Sequence, residues 1–368
     1  MTSTQVSKIM ILTFLFIGVY SCQDDPIIDD MTDILVEYDP SPYFLNAAPL
    51  PPPEIPADNQ LTIQGVQLGR MLFHDPLLSK GEAQSCASCH VQGDGFSDIN
   101  QFSTGVDGLE GGRQAMSIFN LGINPNGFFW DGRAETLREQ ALMPIQDPLE
   151  MHESLENVVS KLELEQDYKD QFMRTFGSEE ITSEKVGLAL EQFMLSIISN
   201  DSKYDRFLAG EVNLTPSELR GRDLYFSPFD PDNPEESGGS CDLCHGGPNF
   251  GSNLYRNNGL DAAPNFTDLG RFEVTGNPGD RARFRVTSLR NIAVNPPYMH
   301  DGRFETLEEV IQHYNTGIQD SPTLDLFLST TIPTGLLLDE QEISDLVSFL
   351  HTLTDETFLT NEAYTNPF

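Results

Sequence analysis

Cys86-Ala87-Ser88-Cys89-His90 and Cys241-Asp242-Leu243-Cys244-His245 carry four of the chain's five cysteines. In each, two residues separate the thiols and a histidine follows at once. That spacing puts both sulfurs over one edge of a haem, where they form thioethers, while the imidazole turns inward to the iron. A pair of disulfides or a zinc site would use the same residue types. Each cysteine pair has its own histidine, however, and the two pairs lie far apart in the chain, which suits separate cofactors. The sequence therefore predicts two covalent c-type haems, one on Cys86, Cys89 and His90 and one on Cys241, Cys244 and His245.

The flanks of the two motifs repeat as well. Asp131-Gly132-Arg133-Ala134-Glu135-Thr136-Leu137 and Asp301-Gly302-Arg303-Phe304-Glu305-Thr306-Leu307 differ at one position. Asn120-Leu121-Gly122-Ile123-Asn124-Pro125 is echoed by Asn291-Ile292-Ala293-Val294-Asn295-Pro296, and Leu61-Thr62 precedes Phe73 as Leu214-Thr215 precedes Phe226. Two copies at a period of about 150 residues mean a duplicated domain, not a solenoid. Each copy ends in an apolar stripe at helical spacing, Val186, Leu190, Phe193, Met194 and Ile197 in one and Ile343, Leu346, Val347, Leu350 and Leu353 in the other. Asn200-Asp201-Ser202 reads as the stop between them. No useful β-alternation is present. The expected fold is all-α, two tandem cytochrome c-like domains at 61–202 and 203–368, each with one haem.

Composition sets the outer bounds. Of 368 residues, 57 are Asp or Glu and 21 Lys or Arg, a net charge of −36. Such a surface repels phosphate, which excludes nucleic acid as a partner. The 24 phenylalanines argue against a disordered chain. The stretch Ile9-Met10-Ile11-Leu12-Thr13-Phe14-Leu15-Phe16-Ile17, behind Lys8, has the length of a signal-peptide core and is too short to span a bilayer. It leads into Val19-Tyr20-Ser21-Cys22, which resembles a bacterial lipobox. Residues 1–21 are accordingly read as a lipoprotein signal, Cys22 as the lipidated residue, and 22–60 as a tether and N-terminal arm rich in acids and prolines. The mature protein is expected on the periplasmic or cell-surface side, anchored to a membrane. That address is also where c-type haem is attached.

The remaining iron ligands are open on spacing alone. His74, His152, His300, His313 and His351 are candidates, as are Met116, Met143, Met151 and Met299.

Two CxxCH motifs with Trp130-Asp131-Gly132-Arg133-Ala134 between them resemble the bacterial dihaem cytochrome c peroxidase family, which includes MauG. The likeness extends from about Leu61 to Leu353, through Leu68-Gly69-Arg70-Met71-Leu72-Phe73, Pro148-Leu149-Glu150-Met151, Leu289-Arg290-Asn291-Ile292-Ala293 and Pro297-Tyr298-Met299-His300. The resemblance implies that hydrogen peroxide meets the N-terminal haem, with Gln140 and Glu150 on its distal side. A carboxylate there can move a proton between the two peroxide oxygens. It implies that Trp130, the chain's single tryptophan, relays electrons from the C-terminal haem, and that His300 supports that haem. It also implies a calcium ion near Gln114, Asn295 and Pro297, with Gln114 replacing a usual Asn, and in many members a homodimer.

Two positions depart from the family pattern. Val106 stands where a histidine normally blocks the N-terminal iron, and no histidine occurs between His90 and His152. Tyr314, in Gln312-His313-Tyr314-Asn315, stands where a methionine normally ligates the C-terminal iron, as a tyrosine does in MauG. A phenolate favours Fe(III) and lowers the potential, whereas a thioether raises it. Three functions compete: a peroxidase drawing electrons from a small cytochrome c or a cupredoxin; a MauG-like oxidase of a partner protein working through a high-valent dihaem state; and a plain dihaem electron carrier. The first is the expectation.

Overall fold

The computed structural model describes Met1 and residues 36–368; the signal stretch and Cys22 lie outside the described residues. Among the described residues twelve α-helices follow in order: α1 (Ile63–His74), α2 (Leu137–Gln146), α3 (Leu155–Leu162), α4 (Gln166–Phe176), α5 (Ser183–Ser196) and α6 (Lys203–Leu208). The second series is α7 (Pro216–Phe226), α8 (Phe272–Thr275), α9 (Leu307–Gln312), α10 (Leu326–Thr331), α11 (Glu340–His351) and α12 (Glu356–Leu359). Most of the remaining described chain is turn, loop and short 3₁₀ helix.

The repeated sequences fold alike. Both copies of the DGR motif make a tight turn, closed by Phe128 N–H to the Ala134 carbonyl and by Tyr298 N–H to the Phe304 carbonyl, each 2.8 Å. The following Thr-x-x-Glu is a capping box in both: Thr136 with Glu139 starts α2, and Thr306 with Glu309 starts α9. Thr62 and Thr215 cap α1 and α7 in the same way that the Leu-Thr repeat suggests.

Two apolar cores result. In the first, α1 crosses α5 and buries Leu68, Leu72, Phe73, Val186, Leu190 and Phe193. The crossing is tight because Gly69 has no side chain; a Cβ there would lie 2.0 Å from the Ala189 carbonyl oxygen. In the second, α7 crosses α11, again over a glycine, Gly221, and buries Tyr225, Leu346, Phe349 and Leu350. The two stripes read from the sequence are these helices. Leu353 lies beyond the end of α11, although it is fully buried, because the chain turns there and its N–H returns to the Leu350 carbonyl.

Three features go beyond the reading of the sequence. Two-residue strands β1 (Tyr255–Arg256) and β2 (Phe284–Arg285) pair antiparallel, too short for any alternation to announce them. The prolines at 49–56 are no free tether: Ala47 and Leu50 pack on Ile123 and Ile198, and buried Asn59 donates to the Glu191 carboxylate. The second half also returns to the first, since Phe358 and Tyr364 join the first core and Arg70 donates to the Glu362 and Thr365 carbonyls.

Candidate active site

Each CxxCH forms one 3₁₀ turn, with His90 N–H bonded to the Cys86 carbonyl and His245 N–H to the Cys241 carbonyl. Both imidazoles then make the same second contact. Nδ1 of His90 lies 3.0 Å from the Phe96 carbonyl oxygen and Nδ1 of His245 lies 3.1 Å from that of Thr287. A carbonyl accepts only from N–H, so each ring carries its proton on Nδ1 and leaves a lone pair on Nε2, as an iron ligand requires. Burial lowers the pKa of both, that of His245 to about 4, which keeps the rings neutral. Among the described residues Cys86, Cys89, Cys241 and Cys244 form no disulfide, and no three His, Cys, Asp or Glu side chains converge on a metal site. With each imidazole fixed through Nδ1 and a cavity beside each motif, the residues fit two covalent haems better than disulfides or zinc.

A cavity opens beside each motif. The N-terminal one, about 810 Å³, is lined by Cys86, Cys89, His90, Trp130, Gln140 and Glu150. Gln140 sits on α2 and Glu150 in the turn that follows it, so one short segment delivers both. The Gln140 Oε1 atom is buried with no hydrogen-bond partner. A buried amide oxygen left so is costly unless a ligand supplies the donor. Burial pushes the Glu150 carboxyl up to about 6; nearby Asp147 adds to the rise and Arg133 opposes it. Val106 is half-buried in the loop beside it, and its N–H donates to the Glu150 carbonyl at 2.9 Å. Among the described residues, His90 and His300 are the histidines that line this cavity.

The C-terminal cavity is smaller, about 290 Å³, and contains Cys241, Cys244, His245, Met299 and Tyr314. Tyr314 belongs to a π turn, His313–Gly317, that follows α9 and rotates the side chain inward. Its hydroxyl lies 3.5 Å from Asn258 Nδ2, and burial pushes the phenol up to about 12. His313 points elsewhere, with Nε2 3.0 Å from the Asn258 carbonyl. Met299 remains in the cavity, its sulfur accepting from Asn258 Nδ2.

Trp130 lines both cavities. Its Nε1 donates to the Gln114 carbonyl at 2.8 Å, and its own carbonyl accepts from Arg285 N–H, which fixes the indole between them. His300 also borders both and stacks flat on Phe284, centroids 3.6 Å apart. The proposed calcium donors are less uniform. Asn295 Oδ1 is buried and unpartnered, as a cation site would need, and Pro297 borders the C-terminal cavity. The Gln114 side chain instead donates, from Nε2 to Ser97 Oγ and the Asp98 carbonyl.

Of the other candidates, His74, His152, His351 and Met143 lie outside the two cavities, whereas two methionines line them. His74 contacts the Tyr364 carbonyl, His152 pairs with Asp107, His351 is exposed, and Met143 is partly exposed on α2. Met151 lines the N-terminal cavity and Met116 both. Sequence reasoning missed Asp147 and Arg133, which set the charge around Glu150. The Asp-Pro-Leu-Glu turn was the available signal, since Asp147 Oδ1 accepts from Leu149 N–H and closes it.

Comparison with known proteins agrees with this geometry. Residues 63–213 match the sequence profile of the family described as di-haem cytochrome c peroxidase. Cytochrome c551 peroxidase of Nitrosomonas europaea is 35% identical, over 79% of this chain and 80% of that one. Methylamine utilization protein MauG of Methylorubrum extorquens is 34% identical, over 82% and 81%. The crystal structure of a MauG-like protein associated with microbial copper homeostasis superposes with a TM-score of 0.77 at 34% identity, covering 86% of this chain and 97% of that one. On sequence, fold and the paired CxxCH cavities together, the chain belongs to the di-haem cytochrome c peroxidase and MauG family.

Proposed function

We propose that the protein is a dihaem peroxidase that reduces hydrogen peroxide to water with two electrons and two protons. The observation that carries this is the pairing of an unpartnered Gln140 oxygen with a carboxyl of pKa about 6 in the roomier of the two cavities. One haem would be held by Cys86, Cys89 and His90, the other by Cys241, Cys244, His245 and Tyr314. Bound there, the haems supply the electrons that break the O–O bond.

The side chains do the rest. Gln140 Oε1 accepts an O–H of peroxide and orients it. The Glu150 carboxylate takes the proton from the inner oxygen and passes it to the outer one, which leaves as water. Arg133 favours the carboxylate while burial and Asp147 favour the acid, so the group sits near the point where it can do both. Trp130, fixed between the cavities, is the conduit for electrons. Since only the ionised form of Glu150 accepts a proton, the rate of reaction with peroxide rises with pH through about 6 and levels off above it. A pH series of the peroxide reaction checks this; a rate flat from pH 5 to 8 contradicts it.

The electron donor is a small cytochrome c or a cupredoxin. Leu243, inside the second CxxCH, is 61% exposed and Leu326 is 82% exposed; the acidic loop with Asp230, Asp232, Glu235 and Glu236 leads straight into that motif. Exposed apolar side chains together with a carboxylate-rich loop that leads into the motif suit a donor with a basic rim. Steady-state turnover with such a donor tests the function, and its rate should fall as salt rises. Absence of turnover with any reduced cytochrome c or cupredoxin argues for a second reading, in which peroxide drives oxidation of a partner protein. Val106 and Tyr314 favour that mode. Lipid anchoring through Cys22 outside the cytoplasmic membrane, calcium near Asn295 and Pro297, and the division into haem domains at 61–202 and 203–368 complete the proposal.

A further inference from the structure

Two segments converge on the turn that carries Glu150. From the loop 103–110, Val106 N–H donates to the Glu150 carbonyl at 2.9 Å. From the segment before the first CxxCH, Lys80 N–H donates to the Met151 carbonyl at 2.9 Å, and Gln84 Nε2 donates to the Thr104 carbonyl at 2.7 Å. Gly105 presses so close to the turn that a Cβ would lie 2.2 Å from the Leu149 carbonyl oxygen. Side chains then close the junction. Lys80 Nζ lies 2.8 and 2.9 Å from the two Asp107 carboxylate oxygens, and His152 Nδ1 lies 2.5 Å from Asp107 Oδ2. Asp107 thus joins the loop to Lys80 and to His152, two residues past Glu150.

His152 occupies a backbone conformation that favours glycine, with φ +46°. A histidine at such a position is strained, and strain of this kind persists where the side chain makes contacts that hold it there. Here that contact is the one to Asp107. The neutral ring suffices, because Nδ1–H donates to the carboxylate without a second proton.

We propose that Lys80, Asp107 and His152 form a latch that holds the loop 103–110 as a fixed wall and thereby positions Glu150. The inference rests on the reading of Glu150 as the proton-handling carboxyl. In a protein whose loop had to swing aside to admit peroxide, a junction of three segments at this point would oppose the motion. With Val106 in the loop there is no blocking side chain to remove, and a static loop keeps the carboxyl aligned. Lys80, Asp107 and His152 are positioning residues; none of them lines the cavity.

The test is His152→Gly in the haem-loaded full chain. Glycine accepts φ +46° without strain, so folding is preserved while the link to Asp107 is lost. Two quantities are read: hydrogen exchange of the Val106 amide, and the second-order rate with hydrogen peroxide together with its pH midpoint. The exchange should quicken about fivefold, as expected for loss of a partly exposed charged contact. The peroxide rate should fall about tenfold with a displaced midpoint, the effect of a slightly misplaced catalytic group. His152→Asn tolerates positive φ and keeps a donor for Asp107, so it should restore most of both. Unchanged exchange, or faster exchange with an unchanged peroxide rate and midpoint, overturns the latch. A Glu150→Gln control separates the two ideas. If it slows the reaction while His152→Gly does nothing, the latch fails and the role of Glu150 stands; if it changes nothing, the role of Glu150 fails first.

Discussion

Replacing Glu150 by Gln should lower the rate of reaction with hydrogen peroxide by roughly 10²- to 10⁴-fold, the range for loss of a positioned general acid–base. The substitution keeps the shape and the hydrogen-bonding capacity of the side chain and removes its ability to cycle a proton. Nothing in the fold depends on the carboxylate: the segment is held by main-chain bonds from Glu150 N–H to the Asp147 carbonyl and from Val106 N–H to the Glu150 carbonyl. Both haems should therefore remain attached with unaltered resting spectra. The pH dependence should vanish along with the rate, since the group that titrates near 6 is gone. Stopped-flow traces of the variant and the parent over pH 5 to 8 measure both effects. A variant that reacts at the parent rate would assign the proton transfer to another group.

Replacing Tyr314 by Met should raise the midpoint potential of the C-terminal haem by a few hundred millivolts, within the roughly 0.8 V that axial ligands command. An anionic oxygen donor stabilises Fe(III), and a thioether stabilises Fe(II). The structure narrows the choice of ligand in a way spacing could not. His313, adjacent in sequence, is engaged with the Asn258 carbonyl, whereas Tyr314 faces the cavity that holds His245. With a raised potential the C-terminal haem becomes a store for the donor's electron, so the variant should gain in turnover with a high-potential donor. Potentiometric titration of the variant checks the first point. An unchanged potential would mean that Met299, the other side chain beside Asn258, holds the iron.

How far the sequence reached depends on the range of each interaction. The CxxCH turns, the DGR turns and the capping boxes at Thr136 and Thr306 are closed by contacts within a few residues, so their sequence is their structure. The stripes of α5 and α11 are legible for the same reason. The cavities needed more. That Gln140 and Glu150 share one wall came from the resemblance and not from spacing, and the lack of any partner for Gln140 Oε1 is visible only in three dimensions. The partner of His313, the return of Tyr364 to the first core and the packing of the strap around Leu50 and Asn59 all join residues far apart in the chain. Proline content suggested a free tether because composition reports backbone stiffness and not what a segment packs against. His152 is an iron-ligand candidate on residue type alone; its left-handed backbone and its partner Asp107 are visible only in the fold.

The central claim is that the N-terminal site reacts with peroxide as it stands, without prior reduction of the protein. Mixing the fully oxidised dihaem protein with one equivalent of hydrogen peroxide, and recording the visible and near-infrared spectrum from the first milliseconds, tests it directly. The account predicts an immediate change in the visible bands that depends on Glu150; a near-infrared band arising with it would favour oxidation of a partner protein as the physiological mode. A spectrum that stays unchanged until one haem is reduced would contradict the account, because a side chain elsewhere would then be capping the iron on His90 in spite of Val106.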